Sequence, residues 1–137
     1  MREIKFRAKN LARGHKWCYG SLITYPDGCA DIHGLDIMRT GSGRIEFMQV
    51  NPETVGQFTE MKDKNGVEIY EGDILELVVT YQGKPVGEPR IRKVVWKDSG
   101  LCIVNKHNDC VCERSFTCQE VEYRVIGNIY DNPDIDI

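Results

Sequence analysis

Asp63-Lys64-Asn65-Gly66-Val67-Glu68-Ile69-Tyr70-Glu71-Gly72-Asp73-Ile74-Leu75-Glu76-Leu77-Val78-Val79-Thr80-Tyr81 is the stretch that decides the fold. Asn65-Gly66 suits the positive φ values that tight hairpins need. Val67, Ile69 and Tyr70 follow as a short apolar run. Glu71-Gly72-Asp73 turns the chain again. Ile74 to Tyr81 is then a long, β-branched run of the kind expected in a central strand. Downstream, Gln82 to Pro89 holds two glycines and two prolines and reads as a mobile hairpin tip. Ile91 to Lys97 mixes charge with Val94, Val95 and Trp96 and pairs naturally with the preceding strand. Asp98-Ser99-Gly100 leads into Leu101 to Val104. Lys106 to Thr117 is a polar, cysteine-bearing loop, followed by a short helical turn near Cys118 to Val121. Tyr123 to Tyr130 is the last strand, ended by Asn132-Pro133.

Upstream the same character holds. In Glu3 to Lys9, Ile4, Phe6 and Ala8 alternate with charged residues, the period of a half-buried strand. Lys16 to Tyr25 carries Trp17, Tyr19, Leu22 and Ile23, and Pro26-Asp27-Gly28 closes it with turn chemistry. Ala30 to His33 is a third short strand. Beyond Gly41-Ser42-Gly43, Arg44 to Val50 alternates through Ile45, Phe47 and Val50. Asn51 to Phe58 has no period and reads as an ordered connection. No window of helical length carries a helical period. The expected fold is therefore mainly β: a small SH3-like or partly open barrel in the C-terminal half, with an N-terminal β-sheet packed on it and little helix. We expect a single domain over residues 1–137, with an N-terminal β part at 1–50 and a barrel-like part at 51–137.

Composition agrees with a globular chain. The 137 residues are 41% hydrophobic and 28% charged, which excludes low-complexity disorder. No apolar run approaches the roughly 18 residues needed to span a bilayer. The opening Met1-Arg2-Glu3-Ile4-Lys5-Phe6-Arg7 lacks the continuous apolar core of a signal peptide, so a cytoplasmic location is expected. In that compartment the six cysteines would be mostly free thiols, some of them packed as small hydrophobes. The net charge of −3 is unevenly spread. Residues 1–17 hold six cations against Glu3, a net +5, whereas residues 119–137 hold five acids against Arg124, a net −4. The basic end reads either as a nucleic-acid-facing edge or as a neighbour of the acidic end.

Three segments, taken in order, carry a family resemblance. They are Arg2-Glu3-Ile4-Lys5-Phe6-Arg7-Ala8, then Asn51-Pro52-Glu53-Thr54-Val55-Gly56-Gln57-Phe58-Thr59 with Asp63 to Ile74, and finally Val125-Ile126-Gly127-Asn128-Ile129-Tyr130-Asp131-Asn132-Pro133. Together they closely resemble the YopX protein family of bacteriophages and prophages, over essentially the whole chain. The resemblance implies a small, mainly β, phage-encoded protein in a bacterial host cell, without an established activity and without catalytic residues to carry over. Cys102 to Cys118 departs from the shared segments.

Few constellations offer chemistry. Cys102, His107, Cys110, Cys112 and Cys118 are the candidate metal ligands, since zinc takes four soft or borderline donors. Cys110 and Cys112 are separated by one residue and lack a matching second pair, so scattered reduced thiols are the competing reading. His15, His33 and His107 stand isolated, and no nucleophile elbow or phosphate-binding loop occurs. Asp27, Asp31 and Asp36 do not match an EF-hand loop and flank turns that favour aspartate. Arg90, Arg92, Lys93 and Lys97 beside Trp96, with Lys84 on the adjoining tip, form a candidate nucleic-acid surface. The same residues suit a solvated hairpin with Trp96 in the core.

These readings lead to a non-enzymatic accessory protein that needs no cofactor and binds protein, its own copies first, or another phage or host protein. The alternative is a nucleic-acid-binding β-barrel module. No membrane partner is expected.

Overall fold

The structure is a computed structural model describing residues 2–12, 14–36, 44–97, 100–109 and 119–137. The chain is mainly β and divides into two compact units, Met1–Glu60 and Met61–Ile137. The division falls inside one strand, whereas the sequence reading parted the two halves at 50/51.

In the first unit, β1 (Phe6–Lys9), β2 (Trp17–Thr24), β3 (Ala30–Asp36), β4 (Arg44–Val50) and β5 (Gly56–Lys62) form an antiparallel sheet in the order β4-β3-β2-β1-β5. Alternation sends Ala8, Cys18, Ala30, Ile32, Met48 and Val50 to one face, where they form the core with Phe6, Leu22 and Val55 against them. The sheet curls strongly. Asn10 bridges Val50, and the N–H of Leu11 donates to the Gln49 carbonyl at 3.0 Å, so the end of β1 meets the end of β4.

The aperiodic segment after β4 has a mechanical role. Asn51 caps a 3-10 turn at Pro52–Thr54, its Oδ1 accepting the N–H of Glu53 at 3.1 Å. The buried Thr54 hydroxyl donates to the Asn51 carbonyl at 2.7 Å and accepts the Lys9 N–H at 2.9 Å. This ties the turn to β1 and aims the chain into β5.

In the second unit the end of β5 turns through residues 63–66 into β6 (Glu68–Tyr70). β7 (Asp73–Tyr81), β8 (Lys84–Pro85), β9 (Arg90–Lys97), β10 (Gly100–Val104) and β11 (Gln119–Asn128) follow. Their sheet runs β10-β9-β7-β11, with β8 paired to β7. The β-branched run is indeed its central strand. Ile69, Leu75, Leu77 and Val94 form the core, flanked by Leu101, Ile103, Val121, Tyr123 and Val125. Among the described residues β10 and β11 are its two edges.

Two polar anchors hold the turns. The buried Asp63 carboxylate accepts backbone N–H groups from Asn65 (2.8 Å), Val67 (2.9 Å) and Val125 (3.0 Å). Gly72, at φ 93°, donates to the Val94 carbonyl at 2.8 Å and accepts the Ile129 N–H at 2.9 Å. Positive φ at that crossing point favours glycine.

One local expectation is corrected. Val121 lies within strand β11, and the only helical segment among the described residues is the 3-10 turn at Pro52–Thr54; Cys118 lies outside the described residues. The Gln82–Pro89 tip is a tight turn, with Gln82 at φ 50° and Gly83 at φ 77°, stitched by the Val86 N–H to the Val79 carbonyl at 2.7 Å. No helix among the described residues is long and apolar enough to cross a membrane.

Candidate functional site

The basic ribbon on β9 is split by the strand's own period. Directly opposite residues share a face, and Arg90 lies opposite Leu77 while Arg92 lies opposite Leu75. Arg90, Arg92, Val94 and Trp96 therefore point to the face that carries Leu75 and Leu77. Lys93 lies opposite Ile74, on the other face, with Lys97. Trp96 is 52% exposed, so it stands at the rim of the sheet and not in the core. Arg92 is half-buried and donates from Nη1 to the Ile91 carbonyl at 2.9 Å, and Lys97 donates from Nζ to the Asn108 carbonyl at 2.9 Å. Lys84 is exposed on β8.

Of the candidate metal ligands, Cys102 and His107 are described and Cys110, Cys112 and Cys118 lie outside the described residues. Cys102 sits on β10 opposite Val95 and is disulfide-bonded. This departs from the expected free thiol, and a disulfide sulfur offers no thiolate to a metal. His107 is exposed in a turn organised by Asn105, whose Oδ1 accepts the His107 N–H at 2.8 Å and the Asp109 N–H at 3.1 Å. Among the described residues no group of three or more His, Cys, Asp or Glu could hold a metal ion. Cys18 and Cys29 are not disulfide-bonded, and Cys18 packs in the first core as a small hydrophobe.

A different feature stands out on the first unit, on the outward face of β2, β3 and β4. Met48 and Val50 turn inward, so Ile45 and Phe47 must turn outward. They are 65% and 64% exposed. Phe47 lies opposite His33 and stacks on its imidazole, with ring centroids 4.3 Å apart and planes inclined by 16°. In the next row Ile23 and Gln49 flank Asp31. Tyr19 and Tyr25 add two more partly exposed rings.

Where β2 turns into β3 this face ends in an open depression of about 690 Å³ lined by Tyr25, Asp27, Cys29, Asp31, Phe47 and Gln49. The Tyr25 hydroxyl donates to Asp31 Oδ2 at 2.8 Å, and the Cys29 N–H donates to Asp27 Oδ1 at 3.0 Å. The bond to Asp31 raises the Tyr25 phenol above its ordinary value. A hydrogen bond from the Cys29 thiol itself to Asp27, and the Asp27 charge, likewise raise that thiol. Both shifts report a negative local potential. Asp27 and Asp31 were read from the sequence as turn aspartates, a role Asp27 does play. The depression was not foreseen, because Phe47 and Gln49 reach it only through the pairing of β3 with β4. The available signal was parity: Phe47 and Val50 are an odd number of residues apart and cannot share a strand face.

The crystal structure of protein EF1440 from Enterococcus faecalis is similar to this chain throughout. The TM-score is 0.58 at 24% identity, with 98% of each chain covered, a likeness that establishes the shared fold. Among curated proteins no sequence matches. The family model described as YopX protein matches residues 5–135, nearly the full length. On that match, this chain belongs to the YopX protein family.

Proposed function

We propose that this protein is a non-enzymatic accessory protein of phage or prophage origin, acting in the bacterial cytoplasm as a protein-binding module. The observation that carries the reading is the outward face of β2–β4, where Ile45 and Phe47 are 65% and 64% exposed beside Tyr19 and Tyr25. Singly exposed apolar residues are ordinary, but a grouped set on one sheet face favours association with another apolar surface. Such surface is worth about 25 cal/mol per Å² when a partner removes it from water. The test is a Phe47→Asp variant compared with the wild type by sedimentation velocity and by affinity capture from bacterial lysate. A self-association, or an identified retained protein, that the variant loses supports the reading. A strictly monomeric wild type that retains no protein overturns it.

A second reading is favoured by the exposure of Trp96 on the face of β9 that also carries Arg90 and Arg92. Basic strands with an exposed aromatic side chain bind single-stranded nucleic acid by stacking and phosphate contact. Filter binding across a salt series, with Trp96→Ala as the comparison, tests it. Salt-dependent affinity that falls in the variant would support nucleic-acid binding.

A further inference from the structure

The depression at the β2–β3 turn gives the outward face a chemical polarity. At one end of it Phe47 and Tyr25 present aromatic surface. Directly beside them Asp27 and Asp31 present carboxylates, and the residues lining the depression include no lysine or arginine. Asp31 holds the Tyr25 hydroxyl at 2.8 Å, which fixes that ring against the carboxylate. Stacking on His33 at 4.3 Å orients the Phe47 ring in turn. A cation entering here meets a carboxylate and an aromatic ring together. That combination attracts guanidinium or ammonium groups more than either part alone.

We propose that this depression receives an arginine or lysine side chain presented by a partner protein, with the apolar face of β2–β4 covered by the residues flanking that cation. The assignment rests on the protein-binding reading of the same face and adds the chemistry of the partner. A partner of basic character complements the Asp27 and Asp31 carboxylates that line this end of the face. The raised Tyr25 phenol and Cys29 thiol are in accord with a site of negative potential.

The test uses the full chain and a blocked peptide of sequence Gly-Arg-Leu-Arg-Gly, followed by amide chemical shifts. The expected result is saturable shifts confined to residues 25–31 and 45–49, weakened at least fivefold in Asp31→Asn and in Asp27→Asn. A peptide with citrulline in place of arginine, neutral but of the same shape, should lose affinity to a similar degree. Equal binding of the citrulline peptide, equal binding by both variants, or no shifts at millimolar peptide overturns the proposal. Shifts in the same residues that follow protein concentration alone would assign the face to a second copy and likewise overturn it. The Phe47→Asp capture separates the two readings. A partner lost in that variant, with no arginine response, leaves protein binding standing and removes only the cation site.

Discussion

The carboxylate of Asp63 accepts the backbone N–H of Val125 at 3.0 Å across 62 residues of sequence. Its other oxygen takes the N–H groups of Asn65 and Val67. A single side chain thus closes the β5–β6 turn and clamps it to β11. Removing it as Asp63→Ala leaves three backbone donors without their acceptor. We expect a loss of about 3 kcal/mol, read by urea unfolding, since bonds to charged acceptors contribute about 1.5–3 kcal/mol each and water replaces part of that.

Asp63 also makes stability depend on pH. Burial pushes its carboxyl up, but the N–H groups of Val125, Val67 and Asn65 outweigh that and bring it below the ordinary 3.8. The folded state then holds its proton less tightly than the unfolded state. The contribution is therefore complete above about 3.8 and is lost as pH falls toward the lower folded value. Unfolding curves of wild type and Asp63→Asn should differ at pH 7 and converge as pH is lowered progressively below 3.8.

Gly20 and Gly34 are needed for a close approach. A Cβ on Gly20 would collide with the His33 carbonyl oxygen and lie 2.9 Å from the Gly34 Cα, and a Cβ on Gly34 would collide with the Tyr19 carbonyl. Backbone cannot move aside as a side chain can. Gly20→Ala and Gly34→Ala should each cost about 2–3 kcal/mol in thermal or urea unfolding. Gly66→Ala meets no atom within 4 Å and suffers only from φ +81°, so about 1 kcal/mol is expected there.

The Gln82-Gly83 turn has positive φ at both central residues, 50° and 77°. Asparagine adopts that conformation more readily than glutamine. Gln82→Asn creates the Asn-Gly pair preferred in two-residue hairpins and should stabilise the protein by about 0.5 kcal/mol. An unchanged or lowered unfolding midpoint would count against this description of the tip.

Tyr25 should ionise above 10.0, because Asp31 accepts its hydroxyl proton and opposes the phenolate. Ultraviolet titration should find the Tyr25 phenol displaced upward in the wild type. That displacement should shrink in Asp31→Asn, where the neutral amide opposes the phenolate far less.

Much of the fold was legible because its signals are local. Asn65-Gly66 and Glu71-Gly72-Asp73 mark turns through backbone conformation, and the run from Ile74 marks a strand through its branched side chains. Arg44–Val50 was bounded correctly as β4. Which of its faces is buried did not follow from its alternation, since Ile45 and Phe47 stand on one parity and Met48 and Val50 on the other. The candidate site was less legible. Arg90 to Lys97 form one cluster in sequence, but the register opposite Leu75 and Leu77 divides them between two faces. The depression draws on residues 25–31 and 47–49, segments that only the β3–β4 ladder brings together.

By itself, then, the sequence determined most of the turns, most of the strands though not β5, and that the chain is mainly β. Each of these follows from preferences held within a few residues. Tertiary structure decided which parity of β4 faces the core, how far the first sheet curls, and which side chains are left in water. A period of two specifies that neighbouring side chains part to opposite faces, but the choice of the buried face belongs to the partner strands. For β4 those partners are β3 and the end of β1, where Val50 meets Asn10. That pairing sends Met48 and Val50 inward and leaves Phe47 on the surface beside Asp31.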